Sequence, residues 1–348
     1  MVLFFLILVI TILFSMKFYN QNGIDPDYMS IEKTKTIKGI FVFCVFLSHI
    51  KEQVSFHGTA NQLVISFLFY LGQFMVTMFL FYSGFGIYES IKKKGKKYIH
   101  QFLTHRICRV YFHFGIAVTL FLFVDIWIQR SYTIPHILLS YIGWESIGNS
   151  SWYMFAIFVL YLMTYLCFQY LDIKKATPLI AMTALSLIYI LVISQLKPDR
   201  YTNTFLCYVA GMWYSYYKEH IDAFFNEHYY SCFAAFMVCL SVIYVYMFVF
   251  KDIRIFLYNF ASILFCLFVV IVSMKITFHS VILYQLGENT FWLSMLQRIP
   301  MMILKYYHID VFNNYLYVIL CFLITIMLTY FVKKVTTLSN RLLQEETS

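Results

Sequence analysis

The feature that most constrains this chain is a series of long apolar runs, each about as long as a bilayer is thick. Residues 2–16 read VLFFLILVITILFSM, and comparable blocks recur as far as residue 332. A helix needs roughly 20 apolar residues to cross a hydrocarbon core of about 30 Å. The blocks are continuous and lack the strict apolar–polar alternation of an outer-membrane barrel strand. Hydrophobic residues make up 61% of the 348 and charged residues 12%, against about 25% charged in an ordinary soluble domain. The sequence therefore predicts an all-α, polytopic helical membrane protein.

The candidate spans fall at roughly 2–19, 37–56, 64–90, 110–128, 152–171, 178–195, 203–217, 230–250, 255–275, 281–303 and 312–332. The seventh is short, and the tenth is interrupted by Glu288, Arg298 and Pro300. The loop after the third span reads IKKKGKKYIHQFLTHRICR and holds no acid, and short loops this basic stay cytoplasmic. Counting outward, the N-terminus is expected outside the cytoplasm and the C-terminus inside it. Lys174, Lys175, Lys333 and Lys334 agree with that orientation, whereas Lys197, Arg200, Lys251 and Arg254 oppose it. The expected division is an N-terminal helix and loop, 1–36, followed by a membrane domain with a short cytoplasmic tail, 37–348.

A net charge of +9 suits basic cytoplasmic loops facing a lipid bilayer, so no nucleic-acid partner is expected. The eight cysteines lie mostly within apolar runs and form no CxxC pair. Neither a metal site nor a disulfide framework is expected from them. The N-terminus has no basic leader and no small-residue cleavage pattern, so it is expected to be a retained span.

Inside the second span, KGIFVFCVFLSHI carries Lys38 and, eleven positions on, His49. At 100° and 1.5 Å per residue, the two share one helix face about 16 Å apart. Ionisable groups at membrane depth are costly and usually face the protein interior or a wet cavity. A histidine there is either a packing residue bonded to a neighbouring helix or a group with a chemical task.

These residues and several others resemble acyltransferase family 3, integral membrane O-acyltransferases that modify sugars and other hydroxyl-bearing acceptors in bacteria. The family shows a basic residue, ten intervening positions and a His, matched by Lys38 and His49. FLFYSG, Phe79 to Gly84, is similar to the family's FFxxSG, with Leu80 in place of the second Phe. Arg106 and Arg109 match its RxxR. Trp152 and Tyr153 resemble the start of a later span, and Asn203 and Gly211 a further segment. LGENTFWLSMLQRIP resembles the family's last motif, with Gln297 where many members carry His. The resemblance covers about residues 30–334 and implies a ten-helix core, preceded here by one extra N-terminal transmembrane helix.

The resemblance implies an O-acetyltransferase-like enzyme of the bacterial inner membrane. Its co-substrate would be acyl-CoA, usually acetyl-CoA, with no permanently bound cofactor and no metal. The acceptor would be a hydroxyl of an extracytoplasmic or lipid-linked glycan, as in polysaccharide modification. His49 is then the expected catalytic base, since a neutral imidazole can take a proton from an attacking hydroxyl.

The expected donor-binding residues are Lys38, Arg106, Arg109, Ser83 and Gly84. Guanidinium groups three residues apart share a helix face and suit phosphates, although basic residues here equally suit anionic lipid. Lys38 is either a phosphate partner or a lysine snorkelling from a helix end. Ser83 and Gly84 either let helices approach closely or leave a gap for the acyl–pantetheine arm. The expected acceptor-binding residues are Glu145, Asn149, Trp152 and Tyr153, unless the aromatics belong to an interfacial belt. Asp125, Glu288 and Arg298 are intramembrane charges in need of partners, and Arg298 is expected in an ion pair. A rival of a different class, a transporter or flippase of a glycan or lipid-linked intermediate, also explains buried charges. The absence of an internal repeat weighs against it. Oligomeric state is not encoded in any of these features.

Overall fold

The computed structural model describes residues 1–20, 23–250 and 255–345. Lys251, Arg254 and the last three residues of the expected tail lie outside the described residues. The architecture is almost wholly helical, with one two-stranded antiparallel ribbon. Six helices are long and apolar enough to cross a membrane, and three shorter apolar helices accompany them among the described residues. The outward faces carry large exposed apolar side chains such as Leu187, Ile188, Leu191 and Val192, and Leu323, Met327 and Phe331. The protein is a multi-pass membrane protein by length, composition and surface.

Helix α1 (Val2–Ser15) runs into strand β1 (Met16–Phe18), which pairs with β2 (Ile276–Phe278). Helix α2 (Ile31–Gln53) starts at Ser30, whose hydroxyl accepts from the Lys33 amide, as an N-cap serine does. Its 23 residues extend about 34 Å, so one straight element carries both Lys38 and His49.

The expected third span is two helices, α3 (Thr59–Leu71) and α4 (Phe74–Lys94). The break is Gly72, at φ +45, a conformation glycine adopts without steric cost. The Gln73 amide donates to the Tyr258 hydroxyl, 3.1 Å away, which satisfies a backbone group freed by the break. After Gly95, the basic stretch expected as a loop is helical. It comprises α5 (Lys96–Phe102), a π-helical turn over Leu103–Cys108, and α6 (Arg109–Trp127). Next come α7 (Ile134–Tyr141), α8 (Ser151–Tyr170) and α9 (Thr177–Ile193). They are followed by α10 (Leu206–Tyr216), α11 (Lys218–Phe250) and α12 (Ile255–Ser273).

The expected tenth span is three short helices, α13 (Val281–Glu288), α14 (Thr290–Leu296) and α15 (Arg298–Tyr306). Pro300 lies in the first turn of α15, the one part of a helix where a missing N–H costs nothing. A four-residue helix, α16 (Ile309–Phe312), leads into α17 (Asn314–Glu345).

Two helix pairs cross through paired glycines. A Cβ on Gly39 would lie 1.9 Å from the Leu283 carbonyl oxygen, and one on Gly287 1.7 Å from that of Lys35. This binds α2 to α13. Gly84 and Gly211 clasp α4 to α10 in the same way, with 1.9 Å to the Tyr208 oxygen and 2.1 Å to the Phe81 oxygen. Small residues at such crossings let backbones touch where lipid supplies no hydrophobic drive.

The chain has two distinguishable ends. The start of α1 lies at the first turn of α3, where the Val2 amide donates to Asn61, and α17 starts just past the end of α2, with Asn314 bonded to Ser55. At the other end lie the start of α2, the basic stretch of α4–α6, and Lys333 of α17, which donates to Asn289 at 2.8 Å.

Candidate active site at two cavities with a common wall

At the basic end lies a cavity of about 1100 Å³. Lys38 of α2, Ser83 of α4, Arg106 of the π turn and Arg109 of α6 all line it, together with Lys93, Lys218 and Lys333. Its carboxylates are Asp27, Glu89 and Glu288. Glu89 pairs with Lys92 and Glu288 with Lys35, the latter at 3.0 Å. No ion pair holds Lys38, Arg106 or Arg109 among the described residues. Cations without carboxylate partners in a cavity of this size suit a polyanionic ligand.

Arg106 is not loose. Its Nη2 donates to the Tyr161 hydroxyl at 3.1 Å, and the guanidinium lies 5.4 Å from that ring's centroid. The Ser83 hydroxyl shares a hydrogen bond of 3.0 Å with the same phenol. Ser83 thus lines the cavity and steadies Arg106 through Tyr161. The π turn widens the helix where Arg106 projects, and such turns recur at functional sites.

The second cavity, about 430 Å³, lies towards the opposite end. His49, Asn149, Trp152 and Tyr153 line it, with Lys51, Glu52, Arg200, Gln297 and Arg298. His49 is mostly buried, and its Nδ1 lies 3.6 Å from Oε2 of Glu52, one turn on in the same helix. That oxygen accepts from Nη2 of Arg298 at 2.7 Å. The intramembrane arginine expected in an ion pair therefore has its partner in Glu52. Asn149 is buried, and its Nδ2 has no partner among the described residues, so a donor stands ready at the cavity wall.

Phe79, Tyr153, Ser294 and Met295 line both cavities. These four side chains form the common wall between the Lys38 chamber and the His49 chamber. The Ser294 hydroxyl is buried there without a hydrogen-bond partner among the described residues, and an unsatisfied polar atom is costly unless a ligand completes it.

Two expected site residues lie elsewhere. Gly84 faces the Tyr208 backbone, so it is a packing glycine. The residue facing open space two positions on is Gly86, which lines the first cavity. Glu145 pairs with Lys197 at 2.9 Å and does not line the second cavity. Lys197 also lies 4.3 Å from the Trp144 ring centroid, which holds the pair beside the chamber.

No motif points to Glu52, Tyr161, Ser294 or Arg200, which the fold brings to the two cavities. Only Glu52 left a legible signal, its spacing of three residues from His49 on one helix.

One family model, described as an acyltransferase domain, matches residues 34–334, most of the chain. No curated protein and no solved structure matches it.

Proposed function

This chain belongs to acyltransferase family 3, and we propose that it transfers an acyl group, acetyl in the simplest case, from acyl-CoA to a hydroxyl of an extracytoplasmic or lipid-linked glycan. The observation that carries this reading is the pair of chambers sharing one wall, with cations that have no carboxylate partner among the described residues in one and an imidazole–carboxylate pair in the other. In this reading the basic end faces the cytoplasm of a bacterium, where acyl-CoA is made, and the His49 chamber faces outward.

Arg106, Arg109 and Lys38 would hold the phosphates of coenzyme A, with the pantetheine arm reaching the wall at Phe79, Tyr153, Ser294 and Met295. His49 would take the proton of the acceptor hydroxyl as its oxygen attacks the thioester carbonyl. The C–O bond forms, the C–S bond breaks, and the departing thiolate takes the proton from the imidazolium as free coenzyme A. Glu52 beside Nδ1 would hold the ring with Nε2 towards the acceptor and stabilise the imidazolium. Arg298 holds that carboxylate in place. Donors at Asn149 and Ser294, which lack partners among the described residues, are the candidates to meet the developing oxyanion.

Purified protein given labelled acetyl-CoA and a glycan should yield labelled glycan and free coenzyme A. A transporter would return both unchanged. Arg109→Ala should raise the KM for acetyl-CoA roughly tenfold, the scale of one lost charge-assisted bond, and leave the acceptor KM alone. An unchanged donor KM would remove Arg109 from phosphate binding. Glu52→Gln keeps the shape and removes the charge, and should lower kcat roughly 10- to 100-fold, the scale of one hydrogen bond to a charged group. An unaltered kcat would show that the carboxylate does not assist the imidazole.

A further inference from the structure

Three full positive charges, Lys51, Arg200 and Arg298, line the second chamber against the single carboxylate of Glu52. Glu52 is already held by Arg298 at 2.7 Å. Among the described residues no carboxylate lies within ion-pair distance of Lys51 or Arg200. The nearby Glu145 is committed to Lys197. Lys51 instead lies 5.6 Å from the Phe69 ring centroid. The remaining lining is of the kind that holds sugars, with aromatic faces at Trp152, Tyr153 and Tyr201 and amides at Asn149 and Gln297.

From this arrangement we infer that the acceptor is an acidic carbohydrate, one carrying a carboxylate or phosphate beside the hydroxyl that is acylated. The inference rests on the acyl-transfer reading and adds the charge of its second substrate. A pair of cations without carboxylate partners in the lining of a small chamber is stabilised by a bound anion. The same field draws acidic acceptors from solution and leaves neutral ones unaided. The carboxylate or phosphate would sit on Arg200 and Lys51, with the sugar ring against the aromatics and one hydroxyl turned towards His49.

The test uses full-length protein in detergent with labelled acetyl-CoA and three matched oligosaccharides: neutral, uronate-terminated and phosphorylated. Wild-type protein should favour one or both acidic acceptors in kcat/KM by roughly 10- to 100-fold, the scale of one bond between charged groups. Which acidic arm wins distinguishes carboxylate from phosphate. The preference should shrink with added salt, collapse in Arg200→Gln, and return in Arg200→Lys. Arg200 is exposed, so its substitution leaves the core intact. Equal use of neutral and acidic acceptors would overturn the inference and leave acyl transfer standing. Equilibrium binding of the same oligosaccharides without donor separates the two failures. Acidic preference in binding with no transfer would overturn the acyl-transfer reading alone, and equal binding would overturn charge selection alone.

Discussion

His49→Ala, expressed and inserted at wild-type levels, should lose acyl transfer by roughly 10²- to 10⁴-fold, the usual contribution of a positioned general base. The ring lines the second chamber rather than a lipid face, and among the described residues the nearest acceptor to its Nδ1 is Glu52 Oε2 at 3.6 Å, longer than a formed hydrogen bond. Removing it therefore costs the fold little. A packing histidine would behave in the opposite way, with stability lost and turnover per folded molecule retained. His49→Gln is the companion variant, since an amide keeps polarity and approximate volume without a titratable nitrogen. Both variants should retain donor binding, because Lys38, Arg106 and Arg109, the proposed donor cations, line the other chamber. Turnover that survives in either variant would remove His49 from the chemistry.

The second large effect is structural. Gly287→Ala should abolish most folded protein, because the new Cβ would sit 1.7 Å from the Lys35 carbonyl oxygen and 2.9 Å from the Gly39 amide nitrogen. Both neighbours are backbone atoms inside a helix, so neither can turn aside as a side chain would. Relief requires α2 and α13 to separate, which also breaks the Lys35–Glu288 pair and the Lys35–Tyr284 hydrogen bond. Inserting an extra carbon into a well-packed core costs about 1–3 kcal/mol and occasionally more, and rigid backbone on both sides places this case at or above the top of that range. Thermal unfolding in detergent reads the loss directly. Gly86→Ala is the control, since nothing lies within 4 Å of its added carbon. It should melt within a degree or two of wild type, the ordinary consequence of a surface change of about 0.5 kcal/mol or less.

The long apolar runs made the helical membrane architecture legible, because bilayer thickness imposes a length that composition reveals at once. The breaks within runs were harder to read. Gly72 splits one expected span through a backbone conformation, while the apolar pattern continues across it. The basic stretch 91–109 read as a loop because charge is usually exposed, yet its backbone is helical through the π turn.

Helical spacing placed Lys38 and His49 on one face of one helix, and each lines a cavity. Spacing could not show that they open into different chambers, since that depends on what α4, α8 and α14 place between them. Gly84 misled because a small residue in a bulky segment signals either a gap or a clasp, and only the partner helix decides. Glu145 misled for a related reason: its partner Lys197 lies far away in sequence. Charges at Arg200 and Lys51 carried no meaning until the fold brought them into the lining of the chamber that holds His49.

The central claim is that donor and acceptor meet across the wall of Phe79, Tyr153, Ser294 and Met295, each arriving from its own end of the molecule. Proteoliposomes with the protein in one defined orientation test it most directly, with labelled acetyl-CoA supplied on one side and the glycan on the other. Labelled glycan should form only when acetyl-CoA is on the side of the Lys92–Lys97 stretch and the glycan on the opposite side. Product formed only when both substrates share a side, or glycan carried across the membrane without label, would contradict the account.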